Sequence, residues 1–195
     1  MPRLFVAIDF PAAIKLSLSG LCSGVAGVRW VAPENFHLTL SFIGEVDDAT
    51  AAGVAAALRH VEMPCFALTL AGVGQFGGHT LWVGVEEGAA LTRLHEAVES
   101  ELASIGLADA DTRLYQPHVK LGRSRRRRSF RAFVAEHAGF RAEPFEVGNF
   151  SLIESRRGER APIYEHRADY PLLAEAEAAQ PRAAPTAPVC AQASR

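Results

Sequence analysis

The residues with the most chemical potential lie in two short segments, Phe36-His37-Leu38-Thr39-Leu40 and Pro117-His118-Val119-Lys120-Leu121. Side chains alternate along an extended chain, so His37 and Thr39 share one face while Leu38 and Leu40 take the other. His118 and Lys120 share a face in the same way, opposite Val119 and Leu121. Two imidazoles brought to one cleft suit phosphodiester cleavage. One neutral ring accepts a proton from the nucleophile, and the other, protonated, donates to the leaving oxygen. Neither role needs a metal. Thr39 adds a hydroxyl for a phosphate oxygen, and Arg123, five residues beyond His118, adds a guanidinium fork. Taken singly, a histidine on a half-exposed strand is more often structural than catalytic. The pair gains meaning from position, because both histidines fall at matching places in a spacing that repeats.

From His37 to Pro64 is 27 residues and from His118 to Pro144 is 26; from His37 to Trp82 is 45 and from His118 to Tyr164 is 46. Such agreement predicts an internal duplication that makes two similar lobes with equivalent histidines. The local patterns supply elements for both. Alternation predicts strands over 3–9, 28–31, 36–43, 66–71, 80–86, 118–122, 145–153 and 163–168. Helical spacing of Ile14, Leu18 and Leu21, of an Ala-rich run capped by Asp47 or Asp48, of Leu91, Leu94, Val98 and Leu102, and over 130–137 predicts four helices. Pro64 ends the second helix, and Gly77-Gly78 turns one strand into the next. The expected fold is α+β, with two pseudo-symmetric lobes, each an antiparallel sheet with helices on its outer face, around a central cleft. Residues 1–173 form one such domain. The Ala/Pro-rich stretch 174–195 has almost no bulky apolar side chain and is expected to be a disordered tail.

Charge is unevenly spread along the 195 residues. Residues 1–112 carry a net −8 and residues 113–167 a net +7, although the whole chain is only −2. The basic part includes Arg123, Arg125, Arg126, Arg127, Arg128 and Arg131, and guanidinium groups pair with phosphate oxygens in two-point geometry. Arg125, Arg126, Arg127 and Arg128 are therefore a weaker set of candidates for a phosphate-bearing partner such as a nucleic acid; the alternative is a solvated surface run. No stretch reaches the length of a membrane span, and the N-terminal segment lacks the pattern of a secretory signal. Three cysteines, Cys22, Cys65 and Cys190, are odd in number and far apart, which points to a reducing, cytoplasmic compartment.

The segment RLFVAIDFP…GVRWVAPENFHLTLSFIGEV, together with the two histidine motifs, resembles the two-histidine phosphoesterase superfamily and within it the RNA 2′,3′-cyclic phosphodiesterases, also called 2′-5′ RNA ligases. The likeness spans about residues 3 to 173. It implies hydrolysis of a terminal RNA 2′,3′-cyclic phosphate to a 2′-phosphate, and the reverse ligation where a 5′-hydroxyl end replaces water. It also implies a monomer with no metal and no cofactor. Residue by residue, His37 corresponds to the proton donor, His118 to the proton acceptor, and Thr39 and Arg123 to phosphate-holding positions. The second motif departs from the family pattern, since Lys120 stands where a Thr or Ser hydroxyl is expected. An ammonium there offers the phosphate a longer-range attraction, and it disfavours a second positive charge on its strand neighbour His118.

The remaining candidates are weaker. His60, His79, His95 and His137 have no partner motif and read as surface or cap residues; His166, alternating with Tyr164, stays open. No short-range cluster supplies the three or four ligands of a zinc site. Trp30, Trp82, Phe42 and Tyr115 could stack on a base, with core packing the more frequent fate. Two further functions fit the same residues: a non-catalytic RNA-binding module, and a phosphodiesterase for a small cyclic nucleotide.

Overall fold

A computed structural model describes residues 1–86, 88–107, 115–159 and 162–174. Among these residues ten strands and four α-helices occur in the order β1 (Arg3–Asp9), α1 (Ala12–Gly20), β2 (Val28–Trp30), β3 (His37–Glu45), α2 (Asp48–Ala57), β4 (Phe66–Leu68), β5 (Leu70–Phe76), β6 (Thr80–Val85), α3 (Ala89–Ser104), β7 (Val119–Ser124), α4 (Arg131–Glu136), β8 (Phe145–Val147), β9 (Asn149–Arg156) and β10 (Ile163–Pro171). The fold is α+β, as the alternating strand and helix patterns predict. The expected tail lies almost wholly outside the described residues.

Two four-stranded antiparallel sheets carry the structure, one ordered β10-β9-β1-β3 and the other β2-β7-β6-β5, while β4 and β8 pair with each other. The chain is interleaved. The first sheet takes β1 and β3 from the N-terminal half and β9 and β10 from the C-terminal end; the second takes β2, β5 and β6 from the first half and β7 from the second. Trp82 therefore lies one strand from His118, and Tyr164 lies in the sheet of His37. Trp82 and Tyr164, landmarks at matching spacings from the two histidines, thus lie in different sheets. By register Trp82 stands opposite Lys120, and the residue that stands opposite Thr39 is Ala7.

One face of each sheet is apolar because its alternate residues are Leu, Val and Ile. Leu4, Val6, Ile8, Leu38 and Leu40 from the first sheet, and Leu70, Leu81, Val83, Val119 and Leu121 from the second, join Leu18, Val54, Leu94 and Val98 of the helices in one continuous core. Full burial of such side chains contributes about 1.5–3 kcal/mol each. The opposite face of the first sheet holds a small separate cluster of Phe5, Ala7, Ile153 and Tyr164. The Asp47 carboxylate caps α2 by accepting from the Thr50 N–H at 2.7 Å.

Some boundaries differ from the expected ones. The strand expected over 66–71 is two strands, β4 and β5, and β5 continues to Phe76 through Gly72 and Gly74. A register shift between Ala71 and Val73 places Gly72 in a bulge, where its φ of +72° suits a residue without Cβ. Glycine there hides the period-2 signal without ending the strand. Strand β10 likewise runs on to Pro171 past a shift between His166 and Ala168.

Candidate active site

Both histidine strands carry the same local irregularity. Val6 pairs with Ser41 and Ala7 with Thr39, so Leu40 is an extra residue on β3; Leu81 pairs with Gly122 and Trp82 with Lys120, so Leu121 is an extra residue on β7. Each bulge begins one residue after the His-x-Thr or His-x-Lys unit. Its effect is to re-aim the side chains beyond it. Simple alternation puts Arg123 on the face opposite Lys120, whereas the bulge returns Arg123 to the cleft.

The rings are fixed alike. His37 Nδ1 lies 2.8 Å from the Asn35 carbonyl oxygen, and His118 Nδ1 lies 2.8 Å from that of Gln116. A carbonyl only accepts, so Nδ1 carries the proton in both rings, and Nε2 is the nitrogen left to exchange protons with a ligand. Aromatic side chains hold each ring on its flanks. His37 meets Phe5 at 4.9 Å and the edge of Tyr164 at 5.1 Å; His118 meets Phe76 edge-on at 4.9 Å and Trp82 at 6.4 Å. Trp82 can lie across its sheet because Gly74 beneath it has no Cβ, which would clash with the indole.

A cavity of about 650 Å³ opens between the two sheets, lined by His37, Thr39, His118, Lys120, Arg123 and Arg125, with Arg29, Trp30, Asn35 and Tyr164 completing its walls. Among the described residues, four cationic side chains and no carboxylate line it. Lys120, Arg123 and Arg125 take part in no ion pair among the described residues. Such a cavity attracts an anion with several oxygens. Trp30 packs across β7 because Gly122 has no Cβ. Arg29, Asn35 and Tyr164 were not legible as cleft residues from their local sequence, whereas Trp30 was already a base-stacking candidate.

Burial is the main reason that His37's pKa falls to about 4. The bond to Asn35 opposes this, the Lys120 ammonium adds to it, and Asp9, its cross-strand partner, opposes it in turn. The Lys120 charge thus reaches His37, across the cleft. Lys120 opens to solvent at the cavity mouth, yet its ammonium is partly desolvated, and that, with Arg123 nearby, lowers its own pKa.

The arginine run divides. Arg125 lines the cavity, whereas Arg126 and Arg127 are exposed outside it. Arg128 is structural: its guanidinium donates to the Ala26 carbonyl and its backbone N–H to Gly78 O at 3.0 Å. The other histidines lie away from the cavity. His166 bonds Asp169, and His95 stacks on Tyr115. Phe42 is half exposed under the Arg3 guanidinium, 4.9 Å from its ring centre, and Tyr115 is turned inward. Among the described residues no three of His, Cys, Asp or Glu converge in a way that could hold a metal ion, and no helix is long and apolar enough to cross a membrane.

Comparison with known proteins agrees with this geometry. A family model described as the 2′-5′ RNA ligase superfamily matches residues 26–159. The RNA 2′,3′-cyclic phosphodiesterase of Archaeoglobus fulgidus is 34% identical over 172 residues, covering 84% of this chain and 96% of that protein. That of Thermotoga maritima is 31% identical over 173 residues, covering 84% and 91%. Among solved structures, E. coli LigT complexed with 3′-AMP superposes with a TM-score of 0.75 at 27% identity, covering 88% of this chain and 99% of that one. With paired histidine strands around one cationic cleft and likeness of this extent, the chain belongs to the 2′-5′ RNA ligase superfamily.

Proposed function

We propose that this protein is an RNA 2′,3′-cyclic phosphodiesterase in which His118 is the general base and His37 the general acid. His118 Nε2 takes a proton from water as its oxygen attacks the cyclic phosphorus. The bond from phosphorus to O3′ breaks, His37 Nε2 gives O3′ a proton, and the product carries a 2′-phosphate and a free 3′-hydroxyl. Thr39, Lys120 and Arg123 hold the phosphate oxygens, and Arg125 meets the chain beyond them. The observation that carries this reading is the matched pair of imidazoles, each with Nδ1–H given to a carbonyl two residues upstream, in one cavity lined by cations.

The acid role requires a proton on His37, which burial of the ring disfavours. A bound phosphate diester supplies the missing negative charge beside both His37 and Lys120, and so raises the pKa of His37 when substrate is present. The ligand thereby arms its own acid. Curated relatives bearing the phosphodiesterase name support the substrate class. We also infer that residues 1–173 form one bilobal domain made by duplication, supported by the bulges one residue past Thr39 and Lys120. A monomer in a reducing, cytoplasmic compartment fits the free thiols of Cys22 and Cys65. The test is incubation with a short RNA ending in a 2′,3′-cyclic phosphate, in chelator, with identification of the hydroxyl that keeps the phosphate. A 2′-phosphate product in chelator is expected. A 3′-phosphate, or no turnover without metal, overturns the mechanism.

A further inference from the structure

Acid–base catalysis on one phosphorus requires a fixed distance between two imidazoles, yet β3 and β7 belong to different sheets and no ladder joins them. One connection between them is covalent, the chain from Trp30 on β2 to His37. Another is polar. The Tyr115 hydroxyl, three residues before His118, donates to the Thr39 carbonyl at 3.0 Å, and His95 Nδ1–H, from α3, donates to the next carbonyl, Leu40, at 2.9 Å. These two consecutive carbonyls flank the β3 bulge, on the edge strand of its sheet. The donor rings stack on each other, with centroids 3.8 Å apart and planes 12° from parallel.

We propose that Tyr115 and His95 are positioning residues that set the separation and mutual aim of the two catalytic histidines. From Tyr115 the chain reaches His118 through Gln116 and Pro117. Pro117 has a fixed φ and holds Gln116 near an extended conformation, and the Gln116 carbonyl is the group that orients the His118 ring. The hydroxyl of Tyr115 is therefore tied to Thr39 at one end of a short, stiff segment whose other end aims His118. His95 holds the plane of the Tyr115 ring and secures Leu40, the extra residue whose bulge sets the course of β3 beyond Thr39. Neither residue touches the cavity, so each acts through the strands it holds.

This inference rests on the acid and base roles proposed above, and its test has an arm that does not need them. Tyr115→Phe keeps the stacked ring and removes only the hydroxyl. On a dinucleotide cyclic phosphate kcat should fall about tenfold with KM nearly unchanged, since small misplacement of reacting groups is costly to rate. His95→Ala should lower kcat similarly, and the double variant should lose less than the product of the two. Leu94→Ala, a buried core truncation on the same helix, is the control for lost stability; at matched thermal midpoint it should retain kcat. In the second arm, inorganic phosphate is titrated into unreacted protein while the ring resonances of His37 and His118 are followed. The two rings should report one shared affinity in the wild type and a weaker one in Tyr115→Phe. Unchanged kcat and unchanged phosphate affinity in Tyr115→Phe, or a kcat loss matched by Leu94→Ala, overturns the positioning role and leaves the two-histidine mechanism standing. Wild-type protein that does not hydrolyse the cyclic phosphate defeats the function proposed above, and the phosphate titration then decides the clamp by itself.

Discussion

Strands β3 and β7 share a bulge and a histidine with a tautomer-fixing bond, His37 as the first residue of β3 and His118 just before β7, and they differ in the residues that follow. Where β3 has Thr39 and then Phe42, β7 has Lys120 and Arg123. The wall around β7, with Arg29 of β2 and Arg125 beyond, carries the positive charge of the cavity, while the wall around β3 is neutral and aromatic. One strand frame has thus been given two tasks. In the proposed mechanism the β7 side holds the anion, while the β3 side encloses His37 in Phe5 and Tyr164, so that its protonation would depend on what the other side has bound.

The largest effect should come from what the strands share. His37→Ala and His118→Ala should each lower turnover at least about 10²-fold while substrate still binds, because general acid and base contributions are of that size or larger. Single-turnover rates with separate affinity measurements check this; near-normal turnover by either variant would end the pairing of roles. Next comes the position after the bulge. Arg123→Gln should weaken transition-state binding by roughly 10- to 100-fold, as expected for a charge-assisted hydrogen bond of about 1.5–3 kcal/mol, whereas Phe42→Ala on the other strand should change kcat/KM little. Equal losses at the two positions would mean that the anion is not held on the β7 side.

Lys120→Thr makes the two strands alike, and it should sharpen the comparison. With the ammonium gone, the pKa of His37 should rise above about 4, read directly from its imidazole resonances, and the limb of the pH–rate profile that belongs to His37 should move upward with it. Activity is retained because Thr supplies a hydroxyl. A His37 titration that does not move would show that burial alone sets it. The same depressed pKa has a consequence for stability. Between the ordinary value of 6.5 and about 4 the unfolded chain binds a proton at residue 37 that the folded protein does not, so stability contributed by neutral His37 is present above 6.5 and is lost as pH falls through that window. Urea unfolding of His37→Asn should show a shallower decline from pH 7 to pH 4 than wild type.

Much of this was legible in the sequence, for physical reasons that also mark the limit. His37, Thr39, His118 and Lys120 could be found because alternation on a strand is local, and Asp47 because a helix cap is local. Arg123 was picked out by its spacing from His118, but the bulge that returns it to the cleft was not legible, since a bulge is a property of two paired strands and Leu121 looks like any core leucine. His95 was read as a surface or cap residue, and Tyr115 as a core residue or base-stacking candidate, for the same reason. Their acceptors, Leu40 and Thr39, lie 55 and 76 residues away, and sequence does not tell which carbonyls an edge strand leaves to side chains. The interleaving of the sheets was not legible either: Trp82 follows His37 and Tyr164 follows His118 at matching spacings, yet Trp82 flanks His118 and Tyr164 flanks His37.

The arginine run gives the smallest effect and the finest division between cavity and surface. Arg126 and Arg127 face solvent outside the cavity, so they can meet only phosphates beyond the terminal one, and each such contact releases counterions. Replacing both with Gln should weaken binding of a longer RNA a few-fold at low salt and reduce the steepness of its salt dependence by about two contacts' worth, while hydrolysis of a dinucleotide cyclic phosphate changes little. Arg128→Gln belongs to a different class. Its guanidinium serves the Ala26 carbonyl, so that variant should lower the thermal midpoint and leave the salt slope unaltered. If Arg128→Gln reduced the slope as much as the Arg126/Arg127 pair, the run would be one continuous RNA track and the division drawn between its members would be wrong. If neither changed it, the basic charge beside β7 would end at Arg125, and the anion-holding side of the comparison would be the cavity alone.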